Sequence, residues 1–297
     1  MKKIIVFGSI ILSGFLIWYF FVKPYDYLVT FKANTFPGAI NQSIKTWNLS
    51  LEGARIENSG DILEITQYIP FNDSTFLYDW KITSITDTTS VVKVYVTDVD
   101  HSIANRFKHP FFDTDFEKRV KNNLTEFTEK LNDHISRFKV KIEGTAEINE
   151  MSCACISVSS SQVEKALGMM KNYAILSSEL LGNKIELNGR PFVLVNKWDM
   201  KTDHLEYDFC YPIQKTDSLF EHPNIKLKQV KSQKALKAIY NGNYISSDRA
   251  WYALLDYAEK NNIKIIPQPL EIFHNNPNMG GDELQWTTEV LMPLDLD

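Results

Sequence analysis

Residue types that do chemistry are few in this chain, and they are scattered. The cysteines are Cys153, Cys155 and Cys210. The first two stand two apart in a segment that reads as a strand, where alternate Cα atoms are about 7 Å apart and a bridge would be strained. Zinc is no better served, because Cys-Ala-Cys has the wrong spacing and no histidine pair accompanies it. The expected role is that of buried thiols acting as small hydrophobes. His101, His109 and His134 stand alone, and a lone histidine is expected at the surface or satisfied in a core. There is no nucleophile elbow, phosphate loop or metal-ligand set. The expectation is therefore no catalytic residue, no metal and no cofactor. The formal charge of −5 comes without a basic cluster, so nucleic acid is not expected as a partner.

The elements that would position a site begin with an anchor. After Lys2 and Lys3, residues 4–22 carry no charge before Lys23, a run of about the length a helix needs to cross hydrocarbon. A cleaved signal peptide is the alternative, but its apolar run is shorter and ends in small residues, whereas this one ends Trp18-Tyr19-Phe20-Phe21. An uncleaved transmembrane helix over residues 1–23 is the expectation. Its lysines would stay in the cytoplasm and the rest of the chain outside it. The remainder has globular composition, 44% hydrophobic and 23% charged, and a length prior of about 150 residues per domain suggests two domains.

Residues 24–137 form the first of them. Period-two patterns predict strands at 25–31, 62–69, 76–85 and 91–99, set apart by turn-formers such as Asn58-Ser59-Gly60. A short helix is predicted over 39–47. The period then switches, placing Phe116, Val120, Leu124, Phe127, Leu131 and Ile135 on one face of a long helix that starts at a Thr114/Glu117 capping box. One strand, a helical insertion, an antiparallel meander and a final amphipathic helix resemble the helix-grip (SRPBCC, polyketide cyclase-like) fold. That resemblance implies a cavity between sheet and helix and carries over no catalytic residue.

Residues 138–297 read as two similar β-α-β-β units. The first has strands at 151–158, 191–198 and 205–211. Its helix over 162–181 opens with a Ser161/Glu164 capping box, buries Val163, Ala166, Leu167 and Met170, and stops at Gly182. The second has strands at 233–240, 270–275 and 284–292 and a helix over 248–261 with Trp251, Leu254, Leu255 and Ala258 on one face. LEYDFCYPI (205–213) aligns with QWTTEVLMPL (285–294) when Pro212 is set on Pro293. A pseudo-twofold domain follows, and the fold class is α+β.

Several features of residues 238–294 then occur in order: Tyr240-x-Gly242-x-Tyr244, the Trp251 helix, Pro269 with Glu271 and Phe273, Asn276-Pro277, and Thr288-Glu289-(x3)-Pro293. The stretch resembles the C-terminal half of GyrI-like effector-binding domains. That resemblance implies a small-molecule cavity between the two units, taking aromatic or cationic hydrophobic ligands, with Glu289 as the pocket acid. The repeat puts Asp208 at the equivalent place of the first unit. A carboxylate among rings suits a cationic aromatic ligand, because rings add flat apolar surface and cation–π attraction. Tyr240, Tyr244, Trp251, Phe273 and Trp286 are the candidate pocket aromatics, with a core role expected for Trp251. No helix-turn-helix region precedes the domain. The expected function is that of a membrane-anchored small-molecule binding or sensing protein. The alternative is a hydrolase of strained electrophiles in which Glu289, its pKa raised, acts as general base. A third possibility, a purely structural protein, would require both cavities to be filled by side chains.

Overall fold

The computed structural model describes residues 2–57, 59–108, 111–214 and 222–296. His109 and Asn58 lie outside the described residues. The chain divides into Met1–Asn132 and Asp133–Asp297, a sheet with helices in each.

The first unit opens with α1 (Lys2–Ile17), a 16-residue helix whose apolar side chains are largely exposed. It does not continue as an α-helix to residue 22. Trp18–Val22 wind as a π-helical turn, with Lys23 N–H on Trp18 O at 2.8 Å. The Arg106 guanidinium, held by Asp26 (Nε to Oδ1, 2.6 Å), donates to the Phe20 and Tyr19 carbonyls at this helix end, at 3.0 and 3.3 Å. At 1.5 Å per residue, α1 spans about 24 Å, short of a hydrocarbon layer of about 30 Å. Among the described residues no helix is long and apolar enough to cross a membrane. This departs from the uninterrupted spanning helix that the uncharged run suggests.

The five-stranded sheet that follows is antiparallel, built from β1 (Tyr27–Ala33), β2 (Arg55–Glu57), β3 (Glu64–Phe71), β4 (Ser74–Thr86) and β5 (Thr89–Asp98) in the order β1-β5-β4-β3-β2. The helices are α2 (Pro37–Leu49), α3 (Ser102–Lys108) and α4 (Asp115–Ser136). The Thr114 hydroxyl accepts from the Glu117 N–H at 3.1 Å, as its capping position predicts. The expected α4 stripe is buried at Phe116, Val120, Leu124, Phe127 and Leu131. Where a helix-grip cavity would lie, Trp47, Trp80 and Phe127 pack ring to ring, with centroids 4.9–6.3 Å apart. β2 and α3 escaped the pattern reading, because three and seven residues are too short to show a period.

The second unit is one eight-stranded sheet in the order β10-β7-β9-β8-β12-β13-β11-β6. Its elements are β6 (Phe138–Ile148), β7 (Met151–Ser161), α5 (Lys165–Gly182), β8 (Phe192–Asp199), β9 (His204–Pro212), β10 (Ile225–Val230), β11 (Gln233–Gly242), α6 (Arg249–Lys260), β12 (Leu270–Phe273) and β13 (Thr287–Pro293). The order is palindromic about the β8/β12 junction. Each β-α-β-β unit is preceded by a strand that pairs with the first strand of the other half, β6 on β11 and β10 on β7. The similarity of the two halves does not show these exchanged strands, because each pairs outside its own half.

Both helices cover one face of this sheet. The Ser161/Glu164 capping box is formed and α5 ends at Gly182. The buried face of α5 differs from the expected stripe, however. Lys165, Ala166, Met169, Leu176 and Leu180 are buried, whereas Val163, Leu167 and Met170 are exposed. Rotation of the helix by about one residue follows from its tie to the sheet, where the Tyr207 hydroxyl donates to Lys165 O at 2.8 Å. Gly168 makes room for that hydroxyl, since a Cβ there would collide with it. The other face holds a second apolar layer, with Ile148, Phe192, Leu270 and Leu291 packed around the three cysteines.

Candidate functional site

Strand parity decides what can reach a site on the helix-covered face. Phe209 and Tyr211 of β9 and Phe273 of β12 point that way. They meet Ala166, Met169, Met170 and Tyr173 of α5 and the turns carrying Tyr244 and Trp286, around a cleft of about 430 Å³. Its floor is aromatic. Tyr244 lies 4.8 Å from Phe273 and 5.6 Å from Trp286 between ring centroids, and all three are nearly buried.

The chain fixes Tyr244 closely. Gly242 takes φ +151°, and a Cβ on it would come within 2.9 Å of both Phe138 and the Tyr240 ring, so the turn out of β11 needs glycine there. The Asn243 side chain then accepts from the Ile245 N–H at 3.0 Å and starts the 3-10 turn Tyr244–Ser246. The Tyr244 hydroxyl accepts from Asn275 N–H at 2.9 Å and donates to Asn275 O at 3.2 Å. Burial raises its pKa, so it stays a neutral donor and acceptor.

Behind the cleft, one residue from Ala166 and two from Phe273, sits a buried ion pair. Lys165 Nζ is 2.5 Å from Glu271 Oε2, with side-chain exposures of 1% and 0%. Lys165 also donates to Ser247 Oγ at 2.7 Å, and Trp251 Nε1 donates to Glu271 Oε1 at 2.8 Å. Gln162 makes a second link between the halves, donating to Asp248 and accepting from Trp198 Nε1 at 2.9 Å and the Tyr252 hydroxyl at 3.2 Å.

Of the candidates read from the sequence, Tyr244, Phe273 and Trp286 line this cleft. Tyr240 and Trp251 are fully buried behind it, Tyr240 with its hydroxyl on Asn243 O and Ser246 Oγ. Glu289 and Asp208 occupy equivalent register positions. Asp208 faces Ser157 and Leu194 across its two neighbouring strands, and Glu289 faces Ile239 and Ile272. Neither reaches the cleft. Phe273 pairs with Thr288 on the cleft side, so Ile272 and Glu289, one residue along, point to the opposite face.

On that opposite face, Glu289 is 26% exposed and paired with Lys237 and His274, each at 2.8 Å. Burial alone would raise its pKa, but those two partners outweigh it and hold the carboxyl below its usual value. That is the reverse of what a general base needs, so the role assigned to Glu289 in the hydrolase alternative is not supported. Asp208 is buried under Lys228 (2.5 Å), Ser157 (2.6 Å) and Asn196 (2.9 Å). These bonds likewise overcome burial and lower its pKa. The acid that does stand on the helix side is Glu271, a residue that the sequence pattern marks only as part of the Pro269/Glu271/Phe273 motif. The sequence signal for it is its two-residue spacing from Phe273, which puts both on one face of the strand.

The cysteines also differ from expectation. The antiparallel register of β7 and β9 sets Cys155 directly opposite Cys210, and the two are joined in a disulfide. The Cys153/Cys155 spacing along one strand carries no information on this cross-strand pair. Cys153 remains a buried free thiol, its pKa raised to about 11 chiefly by burial, with its sulfur 3.5 Å from that of Cys155. The three sulfurs lie within 4.8 Å of one another. With two of them in a disulfide, the set offers one thiol and not the thiolates a metal ion takes.

No protein-family model matches this chain, and no curated protein matches it either. Among solved structures it is similar to the EcmrR C-terminal domain, at 18% identity over 53% of this chain and 98% of that one, with TM-score 0.45. It is also similar to SAV2435 bound to tetraphenylphosphonium, at 9% identity over 52% and 94%, TM-score 0.37. A hydrolase from Listeria innocua is similar at 12% identity over 51% and 92%, TM-score 0.34.

Proposed function

We propose that the second unit binds a small molecule carrying a planar apolar group in the cleft between α5 and the Tyr244/Phe273/Trp286 floor. The observation that carries this reading is the cleft itself. Its volume of about 430 Å³ falls in the range of drug-sized ligand sites, roughly 300–1,000 Å³, and its floor is aromatic, with Tyr244 held in place by its hydrogen bonds to Asn275. The palindromic sheet and the Tyr240-x-Gly242-x-Tyr244 turn support the GyrI-like assignment. The first unit has the element order of a helix-grip domain, but its aromatic core leaves the ligand role to the second.

The test is a thermal-shift screen of planar aromatic compounds against the full chain, repeated with Trp286→Ala. A hit whose stabilisation disappears in the variant supports the reading. Hits that persist unchanged in the variant, or a screen without any, would remove it.

The proposal extends to location. The exposed apolar side chains of α1, among them Ile4, Phe7, Ile10 and Phe15, and the aromatic turn after them support residues 4–22 as the segment that holds the chain at a membrane, with both units outside the cytoplasm. A chain lacking residues 2–22 should leave the membrane fraction, and an alkaline phosphatase fusion at the C-terminus should be active. An active cytoplasmic fluorescent fusion with a silent phosphatase would reverse the orientation.

A further inference from the structure

The polar groups on the cleft are biased toward donors, and this bears on the class of ligand. Neither aspartate nor glutamate lines it; its basic lining residues are Arg190 and His274, and the His274 ring is paired with Glu289 of the opposite face. The guanidinium stands at the β12 end of the cleft, where it donates to the His274 carbonyl. Next to that carbonyl come Asn275 and Asn276. Asn275 commits its side-chain oxygen to the Thr287 N–H at 2.8 Å, and Asn276 commits its own to the Asn278 N–H at 3.0 Å. These backbone bonds fix the direction of each amide, and its NH2 group is a donor that a ligand can use. Outside the lining, Glu283 accepts from Asn243 Nδ2 at 2.7 Å. Glu271, deeper in, is matched by Lys165.

An aromatic floor beside a rim of one guanidinium and two amide NH2 groups is complementary to an aromatic ring bearing an anionic head. Arginine presents a planar fork that suits such a head, and amides add neutral donors beside it. A cationic ring would meet Arg190 with no carboxylate lining the cleft to offset it. Resting on the proposal that this cleft binds small molecules, we infer that its ligand is an aromatic anion, a carboxylate or sulfonate, with its ring against Tyr244, Phe273 and Trp286 and its head toward Arg190 and Asn275.

The experiment compares three ring-matched probes, 2-naphthoate, 2-naphthamide and 2-naphthylmethylammonium, by titration calorimetry on the full chain. The same titrations are run with Arg190→Gln and Arg190→Glu; Arg190 is exposed, so both variants are expected to fold. The expected order is anion, then amide, then cation. Arg190→Gln should weaken naphthoate about fivefold to tenfold and leave naphthamide unchanged, and Arg190→Glu should invert the preference between anion and cation. A cation that binds wild-type protein as tightly as the anion, or an anion preference that survives both variants, overturns the inference while leaving the cleft as a binding site. If none of the three binds, the inference and the binding reading fall together.

Discussion

Removing either member of the Lys165/Glu271 pair should destabilise the second unit more than removing both. Lys165 Nζ and Glu271 Oε2 are 2.5 Å apart at side-chain exposures of 1% and 0%, so water cannot solvate whichever charge is left. Breaking a buried pair from one side costs about 3–5 kcal/mol, whereas neutralising both members is often close to neutral. Lys165→Met leaves the carboxylate with the Trp251 N–H and no counter-charge, and Glu271→Gln leaves the ammonium with Ser247 Oγ. In the double variant Lys165→Met/Glu271→Gln, the glutamine still offers Trp251 an acceptor and no charge remains. The two singles should each lose about 3–5 kcal/mol. For a unit of this size that is a fall in Tm of roughly 6–20 °C. The double should lose less than either single, a coupling energy of about 3 kcal/mol or more. Urea denaturation of the full chain reports it, followed by fluorescence of the Trp198/Trp251 pair, whose rings are 5.1 Å apart, and by circular dichroism. Single variants costing under about 1 kcal/mol, or a double equal to the sum of the singles, would show that the pair is solvated and that its burial does not govern the link between the halves.

Three further outcomes are expected. Glu289→Gln should change the affinity of a cleft ligand by less than about twofold, because its carboxylate faces away from the cleft; a tenfold loss, about 1.4 kcal/mol, in the same titration would restore it as the pocket acid. The His134 pKa is pushed down to about 4, first by burial, then by Arg249 and Arg137 against the pull of Asp248 and Asp133. The unfolded chain therefore takes up this proton near pH 6.5 while the folded one does not, so the stability is complete above 6.5 and is lost as pH falls toward 4, by at most about 3 kcal/mol. Urea midpoints at pH 7 and pH 5 should converge in His134→Gln relative to the parent, and equal slopes in the two proteins would refute it. Cys210→Ser should cost about 2–4 kcal/mol, and non-reducing peptide mapping should recover Cys155 linked to Cys210 rather than to Cys153.

What the sequence determined on its own is what local periodicity encodes. The α4 stripe from Phe116 to Leu131, the meander of the first unit, and the paired β-α-β-β order of the second follow from side-chain spacing within single elements. The caps at Thr114 and Ser161 and the stop at Gly182 follow from local hydrogen-bonding chemistry. Even the equivalence of Asp208 and Glu289 was legible, because the two halves share their strand endings.

Which face those acids occupy was not. A strand's two faces differ by one residue, and which of them is covered depends on where the helices pack, a long-range choice that no window of sequence contains. The same choice put Glu271 with Lys165 on the helix side, turned α5 about one residue away from its expected stripe, and brought Cys155 opposite Cys210. The exchange of β6 and β10 between halves lies further still from local signals, since each pairs with a strand of the other half that is distant in the sequence. Tyr244, Phe273 and Trp286 could be chosen from the sequence as aromatic residues on the right turns. Arg190, Phe209 and Tyr211 joined them only because the folded sheet of the second unit brings the end of its first half against the turns of its second half.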